Sequence, residues 1–273
     1  HKCRFACASD LEYKGITSGN DRKSAMIKFF SKIADWLRRY DDAHNFTCDI
    51  CGREVFGGER VCAACAGALP FNRGHICPFC GRRVSEPGVC IECKDHRPAV
   101  GRARSCFVHE GDAAALVLRF KKGSRYLCRT LCDFLAPALA AEFSDADALA
   151  YVPMTGRAVR RRGYNQSRLL AEELSRRSGI PLLDAAEKRR ETAPQKSLGR
   201  REREKNLEGC FRVTDRAAVR GRRVVIVDDT FTTGSTVSEL ARVLLRAGAA
   251  CVDALTVTGV PDRTFAARKA QTN

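Results

Sequence analysis

The segment Arg223–Thr236, RVVIVDDTFTTGST, leaves the chain little freedom. Four apolar residues in a row, Val224 to Val227, read as a strand buried on both faces, and such strands belong to parallel sheets covered by helices. The strand delivers two adjacent carboxylates, Asp228 and Asp229, at its carboxyl end, the edge where open α/β sheets bind ligands. A loop, Thr230 to Thr236, then leads into a helix starting near Ser235. Gly234 lets the backbone approach an oxyanion closely. The N–H groups at the helix start, with the hydroxyls of Thr232, Thr233, Ser235 and Thr236, form an anion cradle. The carboxylates beside it can accept hydrogen bonds from vicinal sugar hydroxyls or hold Mg²⁺ through its waters. G-x-x-x-x-G-K is absent, which excludes the Walker type of phosphate loop.

The flanking sequence supports an alternating architecture. Ser105–His109 reads as a strand, Asp112–Phe120 and Arg125–Phe143 as helices with Pro137 breaking the second, and Leu149–Val152 as a short strand. Asn165–Ser178 is expected to be a helix capped by Asn165 and stopped by Gly179 and Pro181. Ser235–Ala247 is a further helix and Cys251–Val257 a buried strand. This order predicts an α/β fold with a parallel sheet flanked by helices. Upstream, apolar residues recur at helical spacing over Ser24–Tyr40, an amphipathic helix behind a polar stretch.

Fifteen cysteines stand in a chain whose opening, HKCRFACASD, lacks the apolar run of a secretion signal. The expected compartment is the reducing cytoplasm, where spaced cysteine pairs are metal ligands rather than disulfides. Four C-x-x-C pairs occur: Cys48 and Cys51, Cys62 and Cys65, Cys77 and Cys80, Cys90 and Cys93. Two-residue spacing lets both thiolates face one ion, so eight thiolates would close about two four-cysteine zinc sites, which are structural because no ligand position stays open. Which pairs join is left open by the spacing. Gly52 and Gly81 follow the second cysteine of two pairs, where a knuckle often needs a left-handed turn. Cys106, Cys128, Cys132, Cys210 and Cys251 sit in apolar patterns and read as small core residues. The expected organisation is an extension over 1–45, a cysteine-rich module over 46–98 and a larger domain over 99–273.

The formal charge of +16 is concentrated: Tyr151–Arg223 holds 20 Lys and Arg against 9 Asp and Glu, a net +11. A segment so basic points to phosphates, pyrophosphate or nucleic acid. Arg157, Arg160, Arg161 and Arg162 come just after the Leu149–Val152 strand, and guanidinium groups bind phosphate oxygens in bidentate fashion. No run of apolar residues is long enough for a membrane span.

The Arg223–Thr236 block resembles the phosphoribosyl-pyrophosphate (PRPP) signature of type I phosphoribosyltransferases. That resemblance implies that Asp228 and Asp229 meet ribose hydroxyls and act as the catalytic carboxylates, that Thr230 and Thr232 to Thr236 hold the 5-phosphate, and that Mg²⁺ accompanies PRPP. It also implies that the arginines after the earlier strand lie in a loop that meets pyrophosphate, and that Thr192–Phe211, with Gln195, Arg203 and Asn206, is the mobile loop that closes over the ligand. More closely, the chain resembles the ComF/GntX-like family. The four cysteine pairs are followed by LRFKKG at Leu118–Gly123, Val152-Pro153 with RRGYNQ at Arg161–Gln166, then Thr192, Gln195, Leu198, Arg203 and Asn206, and finally DDTFTTGST. Tyr164 stands where Phe is commoner in that family. The resemblance implies an N-terminal double zinc ribbon, handling of single-stranded DNA in natural transformation, and DNA-uptake machinery as partner. The alternative is an active Mg²⁺-dependent phosphoribosyltransferase that uses PRPP. No base-recognition motif is evident, and aromatic residues make up only 7% of the chain, which favours DNA uptake over nucleobase salvage.

Overall fold

Valine-rich strands buried on both faces need neighbours on both sides, and the computed structural model supplies them. It describes residues 46–191, 206–263 and 265. The chain divides into two units, one of residues 1–48 with 53–60 and one of residues 49–52 with 61–273. In the first, Thr47 and Glu54 form an antiparallel bridge, closed by hydrogen bonds from Cys48 N to Arg53 O and from Val55 N to Phe46 O.

The second unit runs α1 (Ala63–Ala68), α2 (Ile91–Asp95), β1 (Ala103–Val108), α3 (Gly111–Lys121), α4 (Leu127–Glu142), β2 (Ala148–Tyr151), α5 (Gly156–Arg162), α6 (Gln166–Ser178), β3 (Ala186–Lys188), β4 (Phe211–Val213), α7 (Arg216–Val219), β5 (Arg223–Phe231), α8 (Ser235–Arg246) and β6 (Cys251–Gly259). Strands β1, β6, β5 and β2, in that order, form a wholly parallel sheet, and β3 and β4 form a small antiparallel pair. Alternation along β5 feeds two cores. Val224 and Ile226 pack with Val237, Leu240 and Leu244 of α8, while Val225 and Val227 pack with Leu116, Leu131 and Leu170 of α3, α4 and α6. The second cysteine quartet, Cys77, Cys80, Cys90 and Cys93, belongs to the α8 core.

Three expectations change. Pro137 lies inside α4 without ending it; the helix continues to Glu142 because its apolar face, Leu131, Leu135 and Leu139, is fully buried. Arg157–Arg162 is not a loop: Thr155 caps α5 through Ala158 N at 3.1 Å and turns the arginine run into a helix. β5 and β6 extend through Phe231 and Gly259, beyond the apolar runs, because they pair with each other to Phe231–Gly259. The helix expected over 24–40 and most of the expected mobile loop, residues 192–205, lie outside the described residues. Among the described residues no helix is long and apolar enough to cross a membrane.

Candidate functional site

The extra length of β5 sets the site. Asp228 pairs with Thr256 and Thr230 with Thr258 on β6, so the carboxylates are held on a paired strand, and the expected loop shrinks to a turn at Thr232–Gly234. Gly234 is the N-cap of α8 at φ +75°. A Cβ placed there would lie 2.4 Å from Phe231 Cζ, so the glycine also makes room for the Phe231 ring, a reason the sequence did not show.

At this carboxyl edge lies a cavity of about 340 Å³. Asp228, Asp229, Thr230, Thr232, Gly234, Ser235 and Thr236, all named from the sequence, line it. Thr233 does not: its hydroxyl pairs with Ser235 Oγ at 2.8 Å within the turn. The two carboxylates differ in surroundings. Asp228 Oδ1 accepts from Ser167 Oγ at 2.5 Å and from Asp229 N at 2.9 Å. Burial, and then the neighbouring Asp229 charge, push the Asp228 carboxyl up to about 7, against the opposing pull of Ser167. Asp229 faces Lys121, whose Nζ is 2.7 Å from Asp229 Oδ1 and 3.3 Å from Thr230 Oγ1. His109, at the end of β1, is held through Nδ1 by Thr258 Oγ1 at 2.9 Å; burial, and then Lys121, hold its imidazole below the ordinary value.

Lys121, His109 and Ser167 were not singled out by sequence reasoning. Lys121 sits within LRFKKG and Ser167 directly follows RRGYNQ, so both motifs carried a signal; His109 follows an ordinary apolar strand and carried none. Arg157, Arg160, Arg161 and Arg162 are exposed on α5, beyond β2 at the same carboxyl edge of the sheet but outside the cavity lining. Arg161 is 3.9 Å from Glu191, and Arg162 donates to Gln166 Oε1 at 3.0 Å. Gln195 and Arg203 lie outside the described residues, and Asn206 is half-buried.

The cysteines gather as their spacing requires. The Sγ atoms of Cys77, Cys80, Cys90 and Cys93 lie within 4.8 Å of one another and all four residues are buried. Third and fourth pairs therefore share one site. Four sulfurs within reach of one point, in a core that leaves no room for a further ligand, are the tetrahedral set a zinc ion takes, so the residues fit zinc. In the second unit Cys51, Cys62 and Cys65 also lie within 4.8 Å of one another; Cys48 belongs to the first unit.

A parallel sheet whose central strand ends in paired carboxylates beside a phosphate-type cradle, preceded by clustered cysteine knuckles, defines a type I phosphoribosyltransferase fold with an N-terminal double zinc ribbon. The phosphoribosyl transferase domain family matches residues 158–272 and the double zinc ribbon domain residues 45–94, which takes in both cysteine quartets. The chain is 34% identical to the DNA utilization protein YhgH of Escherichia coli K12 over 227 residues, 80% of this chain and 92% of that one. It is 29% identical to competence protein ComFC of Bacillus subtilis over 78% of this chain and 90% of that one, and 30% identical to competence protein F of Haemophilus influenzae over 68% and 91%. The chain belongs to the ComF family.

Proposed function

We propose that the chain binds a 5-phosphoribosyl group, with PRPP as the full ligand, in the cavity at the carboxyl end of β5, and that it handles single-stranded DNA during DNA uptake. One observation carries the first half: Asp228 and Asp229 share a cavity with the N-terminus of α8, so sugar hydroxyls can meet carboxylates while a phosphate meets backbone N–H groups. Ser235 and Thr236 hydroxyls would add donors to that phosphate. Lys121 tempers the negative charge at Asp229 and lies where a pyrophosphate could also reach it. Asp228 and Asp229 offer the oxygen donors that Mg²⁺ takes, and Mg²⁺ bound with PRPP would supply charge neutralisation at the pyrophosphate. Names of relatives, competence and DNA utilization, support the second half, and the exposed arginines of α5 suit a strand's phosphates. Zinc in the two cysteine sites is structural in this reading, and the protein works in the cytoplasm with the DNA-uptake machinery.

Titration calorimetry tests both halves on the full chain. PRPP with Mg²⁺ should bind the wild type and fail to bind Asp228→Asn/Asp229→Asn; native-like binding in that variant would place the sugar elsewhere. Single-stranded DNA affinity should fall steeply with salt, and replacing Arg160, Arg161 and Arg162 by Ala should flatten the slope by about two to three phosphate contacts. An unchanged slope would return those arginines to a plain solvated surface.

A further inference from the structure

The turn that follows the first pair of the buried cysteine quartet, Cys77 and Cys80, reaches the phosphate cradle. Arg82, only 6% exposed, donates through its guanidinium to the backbone carbonyl of Thr232 and pairs with Glu92 at 3.0 Å. Its own backbone is fixed by the cysteine knuckle, since Cys77 N donates to Arg82 O at 2.9 Å. The turn is clamped against β1 as well. Ala103 N donates to Phe79 O at 2.7 Å, Asn72 Nδ2 donates to Gly81 O at 2.7 Å, and a Cβ at Gly81 (φ +66°) would lie 2.3 Å from Ala103 O. Phe231 and Val237, which flank the cradle, share one buried cluster with Cys77, Cys80, Cys90 and Cys93.

We propose that Arg82 is a positioning residue for the phosphate cradle, which ties the shape of the Thr232–Gly234 turn to the integrity of the second cysteine site; this rests on the reading of the cavity as a phosphate site. The physical argument has two parts. Thr232 C=O and Thr233 N–H belong to one planar trans peptide, so holding the carbonyl toward Arg82 turns the N–H to the opposite side. A charged donor on the carbonyl also polarises that peptide and strengthens its N–H as a donor. Arg82 lies outside the cavity lining and therefore acts through the backbone rather than on the ligand. Zinc in the quartet holds the knuckle, the knuckle holds Arg82, and Arg82 holds the turn.

The test uses the full chain with Arg82→Met, which keeps side-chain volume and leaves Glu92 facing Arg263 at 3.8 Å, and with Arg82→Lys, which keeps the charge but lacks the fork that reaches both partners. Three quantities are read: zinc per chain, amide hydrogen exchange at Thr232–Thr236, and affinity for ribose 5-phosphate by calorimetry. Zinc content should stay at the wild-type value, exchange of the turn amides should rise, and affinity should fall about tenfold, the scale of one charge-assisted hydrogen bond. Exchange and affinity both within about twofold of wild type in either folded variant would overturn the proposal. If wild type does not bind ribose 5-phosphate, the phosphate-site reading fails by itself; the exchange measurement then still decides whether Arg82 holds the turn.

Discussion

Replacing Asp228 with Asn should stabilise the protein, and by more at alkaline than at acid pH. Asn keeps an Oδ1 that accepts from Ser167 Oγ and Asp229 N, so both native hydrogen bonds survive while the buried charge disappears. The wild-type carboxyl titrates at about 7 in place of the ordinary 3.8, with burial first and Asp229 second among the causes. Because the folded state holds this proton more tightly than the unfolded one, stability is lost as pH rises through the window from 3.8 to about 7 and is level above it. At ~1.4 kcal/mol per unit the full effect is roughly 4 kcal/mol, and solvent entering from the cavity reduces it to about 1–3 kcal/mol. His109 works in the opposite sense: its lowered value makes stability fall as pH drops through its range. Since His109 is present in both proteins, the difference between them isolates Asp228. Urea unfolding of the ligand-free proteins at about pH 5 and about pH 8 should show the gap widening by about 1 kcal/mol, since this span covers some three-fifths of the full effect. A gap of constant size, or a variant less stable than wild type at the higher pH, would refute the reasoning that burial and Asp229 strain this carboxylate.

Gly234→Ala should cost about 2–4 kcal/mol in a thermal melt, because φ is +75° and the new Cβ meets the Phe231 ring at 2.4 Å; a cost under ~0.5 kcal/mol would show that the ring yields freely. Elemental analysis should find about two zinc ions per chain, and chelation should lower the melting temperature of the sheet as well as the ribbon, because the second quartet shares a core with β5 and α8. An unchanged melt after zinc removal would separate the two. Lys121→Gln should weaken PRPP binding measurably while leaving the fold intact, since the ion pair it loses is about one-third exposed on the lysine side; unchanged affinity would remove Lys121 from the site.

Local chemistry was legible in the chain itself. Periodicity and apolar runs placed β2, β5, β6, α6 and α8 to within a few residues, Asn165 caps α6 as its type requires, and the residues from Asp228 to Thr236 read as strand end, loop and helix start, of which the structure gives part of the loop to β5. C-x-x-C spacing announced the metal knuckles, because two-residue spacing has few other uses. What spacing left open, that the third cysteine pair shares a site with the fourth, needed the folded chain, since proximity across 9 intervening residues is a tertiary fact. Pro137 shows the same division: its local preference is to break a helix, and burial of one long apolar face overrides it. Lys121 and His109 reach the cavity from α3 and the end of β1, and Ser167 of α6 reaches Asp228 beside it; these elements are separated from β5 by up to more than a hundred residues, and no local pattern marks where a side chain from another element will land. Arg82 is the extreme case. In sequence it is one arginine among many beside a cysteine pair; only the packing of the ribbon against the sheet brings its guanidinium to a carbonyl 150 positions away, because side-chain contacts across the core follow from the topology rather than from neighbouring residues.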